Sequence, residues 1–211
     1  MIMLVNSMTR NHSAQRDVPE KSFATRDAQS ADAAELCAIY GFHVVDGAGT
    51  FEEVAPATDE FRRRMENVQA RGLPWRVAEA GAGGSIIGYC YASPYHARSA
   101  YKFTVQTSVY VDRNWQHRGV GLALLNEVVT ACKQLGYCQI MAAVGDSHNE
   151  SALKLHARAG FRTIGYAMRA GVKFGRWTDV VYLQRFLGDF TDPPPANDPV
   201  GYISSSDQTG P

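Results

Sequence analysis

The sequence predicts an α/β fold, a single domain built on one mixed sheet with helices on both faces, and three observations predict it. Strand-like and helix-like periodicities alternate in the order β-α-α-β-β-β-α-β-α-β-β. The segment Cys138 to Val144 is nearly all apolar, as a strand covered on both faces must be. The chain has 211 residues, 45% apolar and 20% charged, which is enough for one real core and short for two.

Residues 1–21 are polar and aperiodic and read as a disordered leader. Phe23 to Arg26 is a short strand, and Asp27 to Ser30 is a turn with capping residues. Ala33, Leu36, Cys37, Ile39 and Tyr40 follow helical spacing, with Asp32 and Glu35 in the first turn, where the helix dipole favours acids. Gly47-Ala48-Gly49 breaks the chain. Thr58 is the candidate cap of a second helix, 59–71, which Gly72-Leu73-Pro74 ends. Trp75 to Ala80 and Ile86 to Ala92 flank Gly81-Ala82-Gly83-Gly84, a hairpin signal. Lys102 to Val111, rich in Val, Thr, Tyr and Phe, is a third long strand.

A helix over 119–135 puts Val120, Leu124, Val128 and Leu135 on one face and stops at Gly136. Asn149 caps another that runs to Ala159 and closes at Gly160. Phe161 to Met168 and Val172 to Phe186 read as two strands around a turn. The Pro-rich and then Ser/Asp/Gly-rich end reads as a disordered tail, so the folded domain is assigned to 22–190 and the tail to 191–211.

Lys plus Arg and Asp plus Glu both total 21, a net charge of zero. That balance argues against bulk binding to nucleic acid or an anionic membrane, which needs a positive surplus. Apolar runs fall short of the ~18 residues of a membrane span, and Asn6 interrupts the opening apolar stretch too early for a signal peptide. A cytoplasmic location is expected. Cys37, Cys90, Cys132 and Cys138 make no C-x-x-C pair and read as small buried hydrophobes, and no metal-ligand cluster is visible.

The stretch with chemistry in it is Val109 to Gly121: a strand ends, a loop turns, and a helix starts at glycines. The amides of a first helical turn have no internal partners and carry the positive end of the dipole. They form a diphosphate site. Gly119 and Gly121 are expected to keep side chains away from the phosphates, with Gln116, His117 and Arg118 as added donors. Neither a nucleotide P-loop nor a Rossmann fingerprint fits the spacing.

One strand later comes Asn149-Glu150-Ser151-Ala152, followed by Leu155-His156-Ala157-Arg158-Ala159-Gly160-Phe161. Together these motifs resemble the GCN5-related N-acetyltransferase superfamily. Ala97 to Val111, Thr50-Phe51-Glu52-Glu53 and Gly175 to Val180 narrow the resemblance to its phosphinothricin N-acetyltransferase subfamily, over about residues 22–187. The resemblance implies the GNAT acyl-CoA N-acyltransferase fold, acetyl-CoA as cofactor, and a small-molecule amine of the phosphinothricin or methionine sulfoximine type as acceptor. It implies that Gln116, His117, Arg118, Gly119, Val120, Gly121 and Leu122 cradle the diphosphate. It also implies that the backbone of Val109, Tyr110 and Val111 pairs with the pantetheine arm, that Asn149 contacts the cofactor near its thiol, and that His156 serves as proton donor to the departing thiolate or as a relay for the amine proton.

One position departs from the subfamily: where its third strand carries a glutamate, this chain has Gln106. An ammonium must lose a proton before it attacks a thioester, and an amide cannot accept that proton. His156 as base, water leading to Glu52, Glu53 or Asp146, and a weakened site all stay open. Arg98 is the candidate carboxylate clamp, with Tyr101, Phe51 and Trp177 as an aromatic wall. The aromatic and β-branched stretch from Arg169 to Phe186 corresponds to a region that helps form a homodimer in the subfamily. Alternatives are an acetyltransferase for peptide amines and a non-catalytic acetyl-CoA-binding module.

Overall fold

The computed structural model describes residues 22–81, 83–188, 193–200 and 202. Its element order is the expected one: β1 (Phe23–Asp27), α1 (Ala33–Val45), α2 (Thr58–Gln69), β2 (Trp75–Ala80), β3 (Ile86–Pro94), β4 (Thr104–Val111), α3 (Val120–Gln134), β5 (Gln139–Gly145), α4 (Glu150–Arg158), β6 (Arg162–Lys173) and β7 (Arg176–Phe186). The seven strands form one sheet in the order β1-β2-β3-β4-β5-β7-β6. All neighbours are antiparallel except β4 and β5.

The period of two along each strand divides the core. Ile140, Ala142 and Val144 of β5, Val105 of β4 and Val181 and Leu183 of β7 pack under α3 and α4. Val77, Tyr89 and Trp75 pack under α1 and α2 on the other face. β5 is covered on the α3/α4 face alone along its full length: on the other face Met141 is buried but Ala143 is exposed, so the expectation of a strand covered on both faces holds only in part.

Three boundaries differ from expectation. Thr58 is the first residue of α2 and caps nothing; the extended Ala57 precedes it, and Asp59 and Glu60 supply the acids of the first turn. β4 starts at Thr104 because Ser99–Tyr101 form a 3-10 turn closed by the Lys102 N–H on Ser99 O. β6 runs on to Lys173, so the hairpin turns at Phe174 and Gly175. A register shift between Ala167 and Gly171 absorbs Arg169 at φ 51°, and its N–H donates to Asp179 Oδ1 at 2.8 Å.

The assigned leader, 1–21, lies outside the described residues, as do 191, 192, 201 and 203–211 of the assigned tail. Within the tail, Asp198 pairs with Lys102 at 2.5 Å and the Val200 N–H donates to Leu135 O at 2.9 Å.

One ion-pair cluster ties the start of the chain to the sheet. Arg26 on β1 bonds both oxygens of Asp32, at 2.7 and 2.9 Å, and reaches Glu79 on β2 at 2.6 Å. The Gln29 N–H also donates to Asp32, which is 8% exposed. The Arg26 guanidinium, helped by that amide and opposed by burial, holds the Asp32 carboxyl below the usual carboxylate range. Replacing Asp32 with Asn is expected to lower unfolding free energy by about 1.5–3 kcal/mol at neutral pH in urea titrations. The folded carboxyl titrates below its unfolded value of ~3.9. Its contribution is therefore whole above that pH and is lost as pH falls through the folded value, so the two proteins' stabilities converge in acid.

Candidate functional site

β4 and β5 pair only from Thr104↔Gln139 to Thr107↔Ala142. Beyond that they part, β4 staying with β3 and β5 with β7. The Asp112 N–H donates to Ile87 O at 2.9 Å, which fixes the phase of the antiparallel β3–β4 ladder. Even-numbered residues of β4 thus spend their peptide groups on β3, and Val109 and Val111 turn theirs toward the split. The Tyr110 peptide belongs to β3, and its ring packs at 5.0 Å on Tyr40 and 5.2 Å on Tyr89.

His43 on α1 fills one acceptor of the split: its Nε2 lies 3.0 Å from Val111 O. A carbonyl only accepts, so Nε2 carries the proton. Burial, partly offset by this bond, pushes the His43 pKa down. The Val109 amide and carbonyl and the Val111 N–H are left facing the split. His43 was not among the residues singled out from the sequence; its spacing after Leu36 and Tyr40 puts it on the core-facing stripe of α1 and was the available signal.

After β4 the chain turns tightly. Asp112 Oδ1 accepts the Asn114 N–H at 2.8 Å, His117 takes φ 59°, and Gly119 takes φ 85° just before α3. Ala123 is the first helix amide to bond back, to Gly119 O at 3.0 Å. The amides of Val120, Gly121 and Leu122 therefore have no helical partner, and Gln116, His117 and Arg118 are exposed beside them. The two glycines do different work, and only Gly121 departs from the expected role. Gly119 supplies a left-handed backbone, with open space where a Cβ would stand. Gly121 faces inward, where a Cβ would meet Leu155 at 3.2 Å and Val111 at 3.4 Å; it lets α3 close on α4 and β4.

Asn149 caps α4, its Oδ1 accepting the Ala152 N–H at 3.2 Å, and its Nδ2 lies beside Gly49 of the α1–α2 loop. His156 is 4% exposed on α4, on the α3/α4 face, with its ring edge-on to Phe161 at 5.2 Å. Its Nδ1 lies 2.8 Å from Ala152 O. That nitrogen must be protonated to bond a carbonyl, and burial pushes the pKa down. The neutral ring therefore presents Nε2 as an acceptor.

Gln106 stands on the opposite face, the one that carries Tyr110 and faces α1 and α2. There Gln106, Ala143 and Tyr182 are exposed and form an open floor across β4, β5 and β7. The α1–α2 loop borders it: Ala48 O crowds Gly145, and the Phe51 ring lies over Gly171, where a Cβ would meet it at 2.5 Å. Lys173, 2% exposed, clamps this loop by donating to Thr50 O at 2.5 Å and Glu52 O at 2.8 Å. Burial pushes its pKa down.

Arg98 and Tyr101 are exposed on the β3–β4 connection. The Arg98 N–H donates to His96 Nδ1 at 3.0 Å, and Tyr101 packs on Tyr95 and His96. They are attached at the start of β4, whereas Phe51 lies at the far end of β5, so the two groups border the floor from different ends. Trp177 pairs with Val172 on the other face and is apart from Phe51.

Residues 26–182 match the sequence profile described as an acetyltransferase (GNAT) domain. The phosphinothricin N-acetyltransferase of Alcaligenes faecalis is 39% identical over 193 residues, 87% of this chain and 97% of that protein. The L-methionine sulfoximine/L-methionine sulfone acetyltransferase of Salmonella typhimurium is 30% identical over 168 residues, 80% and 96% of the two chains. The crystal structure of a GNAT superfamily phosphinothricin acetyltransferase from Sinorhizobium meliloti in complex with acetyl-CoA superposes with a TM-score of 0.79 at 37% identity, covering 83% of this chain and 95% of that one.

A side chain at Gly119 must be strained at φ 85°, by about 1–2 kcal/mol. Gly119→Val is expected to weaken coenzyme A binding about tenfold in calorimetry. Gly81→Val, equally strained at φ 73° but on the β2–β3 hairpin, should leave it unchanged.

Proposed function

We infer that this chain, which belongs to the acetyltransferase (GNAT) family, transfers the acetyl group of acetyl-CoA to the amino group of a small amino-acid-like substrate of the phosphinothricin or methionine sulfoximine kind. The observation that carries this reading is the β4–β5 split, whose free peptide groups on Val109 and Val111 lie between an unpartnered helix start and an open floor.

When bound, acetyl-CoA supplies an activated acyl carbon in its thioester. The Val120, Gly121 and Leu122 amides, with Gln116, His117 and Arg118, would hold its diphosphate. Val109 and Val111 would orient its arm by strand-like bonds, with the Asn149 amide toward its thiol end. The amine is its own nucleophile, so no enzyme side chain needs to form a bond to the acetyl group. Cys90 and Cys132 suit no such role, because burial pushes both thiols up to about 12. The Gln106 carbonyl can orient a water or the amine without taking a proton. His156, neutral with Nε2 as acceptor, suits a relay that takes a proton late and returns it to sulfur better than a standing donor. Arg98 and Tyr101 at one end and Phe51 at the other border the acceptor.

No helix among the described residues is long and apolar enough to cross a membrane. The cysteines among them are free thiols, three of them buried, which supports a reducing, cytoplasmic setting. Tyr166, Met168 and Trp177 are 58%, 70% and 64% exposed on the β6–β7 hairpin at the sheet edge. Such an edge needs a cover, and a homodimer through it is part of this reading.

Purified protein is expected to release free thiol from acetyl-CoA with phosphinothricin or methionine sulfoximine and not without an amine. His156→Ala should lower kcat about 10²-fold; silence with every amino acid and analogue, despite bound acetyl-CoA, would reject the reading. Sedimentation should give about twice the chain mass, and Tyr166→Asp combined with Trp177→Asp should give the monomer.

A further inference from the structure

We propose that Glu52 accepts the proton of the incoming ammonium through a water, the task that Gln106 cannot perform. This rests on the acetyl-transfer reading above and names a residue of that same site.

The three acids open at the sequence level are separated by the structure. The Asp146 carboxylate is taken up locally by His148, at 2.9 Å from its N–H and 3.2 Å from its Nδ1. Glu53 is exposed. Glu52 is half-buried in the loop that borders the acceptor face. Its backbone is fixed twice, by Lys173 on its carbonyl at 2.8 Å and by its own N–H on Thr50 Oγ1 at 3.3 Å. Tyr40 OH lies 3.1 Å from the same Thr50 oxygen.

The Glu52 side chain bonds Arg64 of α2 at 2.7 Å and is 37% exposed, so water reaches it. The hydroxyls of Tyr40 on α1, Tyr91 on β3 and Tyr110 on β4 feel its charge. Burial first, and the Glu52 carboxylate in addition, pushes all three up, Tyr40 to about 12. Tyr91 is paired with Ser108, two residues from Gln106 on the same face of β4. Tyr40, whose hydroxyl meets the same Thr50 oxygen as the Glu52 N–H, packs its ring on Tyr110 of β4 at 5.0 Å, so the loop segment that carries Glu52 borders the strand face where an amide has replaced the subfamily's acid.

The charged and titratable groups around Glu52 are Tyr40, Tyr91, Tyr110, Arg64 with its second partner Glu60, Lys173 and Glu53. Arg64 divides its charge between Glu52 and Glu60 in a solvent-exposed arrangement, so its pairing with Glu52 is a weak one.

In the step itself, a water takes one N–H proton from the ammonium and passes its own to Glu52, from which it reaches solvent. The freed lone pair forms the C–N bond to the acyl carbon, the C–S bond breaks, and the second amine proton goes to the departing sulfur. Charge and atoms balance without another reactant.

Glu52→Gln is the test, because it keeps both backbone anchors of the loop. kcat/KM for the amine should fall about 10²-fold at pH 7 and recover as pH rises and free amine becomes abundant. The acetyl-CoA Kd from calorimetry should stay unchanged. Adding Gln106→Glu to this variant should restore activity at least tenfold by returning a carboxylate to the floor. A Glu52→Gln enzyme within twofold of the parent at every pH overturns the proposal. So does a loss that neither high pH nor Gln106→Glu relieves, which would mark Glu52 as a binding or loop-fixing group. Absence of transfer by the parent protein rejects the acetyl-transfer reading and this proposal with it, whereas an active parent with an indifferent Glu52→Gln rejects the proposal alone.

Discussion

Everything at the site depends on two parallel strands that stop pairing partway along. After Thr107 and Ala142, β4 and β5 each retain one neighbour, β3 and β7, and lose each other. Peptide groups turned into such a gap are costly unless something bonds them, on the order of 1–3 kcal/mol each. The protein satisfies one internally, through His43 on Val111 O, and leaves the others facing the split. A ligand with strand-like amides of its own can complete the ladder there, so the gap selects an extended, amide-bearing arm.

The split also explains why the two faces of the sheet divide the labour. On one face, the close approach of α3 to α4 and β4, permitted by Gly121, brings the unpartnered first turn of α3 to the mouth of the gap. On the other, α1 and α2 cover β2 to β4 and leave Gln106, Ala143 and Tyr182 open. His156 belongs to the first face and Gln106 to the second. The two residues the motifs pair in one mechanism therefore meet only across the gap, through what occupies it.

What was legible in the sequence was local. The hairpin at Gly81 to Gly84, the glycine start of α3 and the Asn149 cap follow from neighbouring residues and stand as read. What was not legible is carried by contacts between distant residues. Lys173 holds Thr50 across 123 positions, and nothing near either residue announces it. His43 reads as one more residue of an apolar helix until Val111, 68 positions on, supplies its partner. Gly121 had a local signal that pointed to the wrong cause, because a glycine beside a phosphate loop and a glycine beneath a packed leucine look the same in sequence.

These distant contacts bear on the replacement of the subfamily's glutamate by Gln106. An enzyme can lose the carboxylate from a strand only if the proton has another destination, and a strand residue is a poor place to look for one, since its neighbours are fixed by the ladder. The α1–α2 loop is different. It is free in sequence yet pinned in space, by a buried ammonium on two of its carbonyls and by Tyr40 through Thr50. A side chain on a loop held that firmly can be aimed as well as one on a strand. Glu52 is the acid whose backbone this clamp holds beside the acceptor face, and if it takes the proton, the residue that makes the substitution on β4 tolerable is Lys173 as much as Glu52 itself.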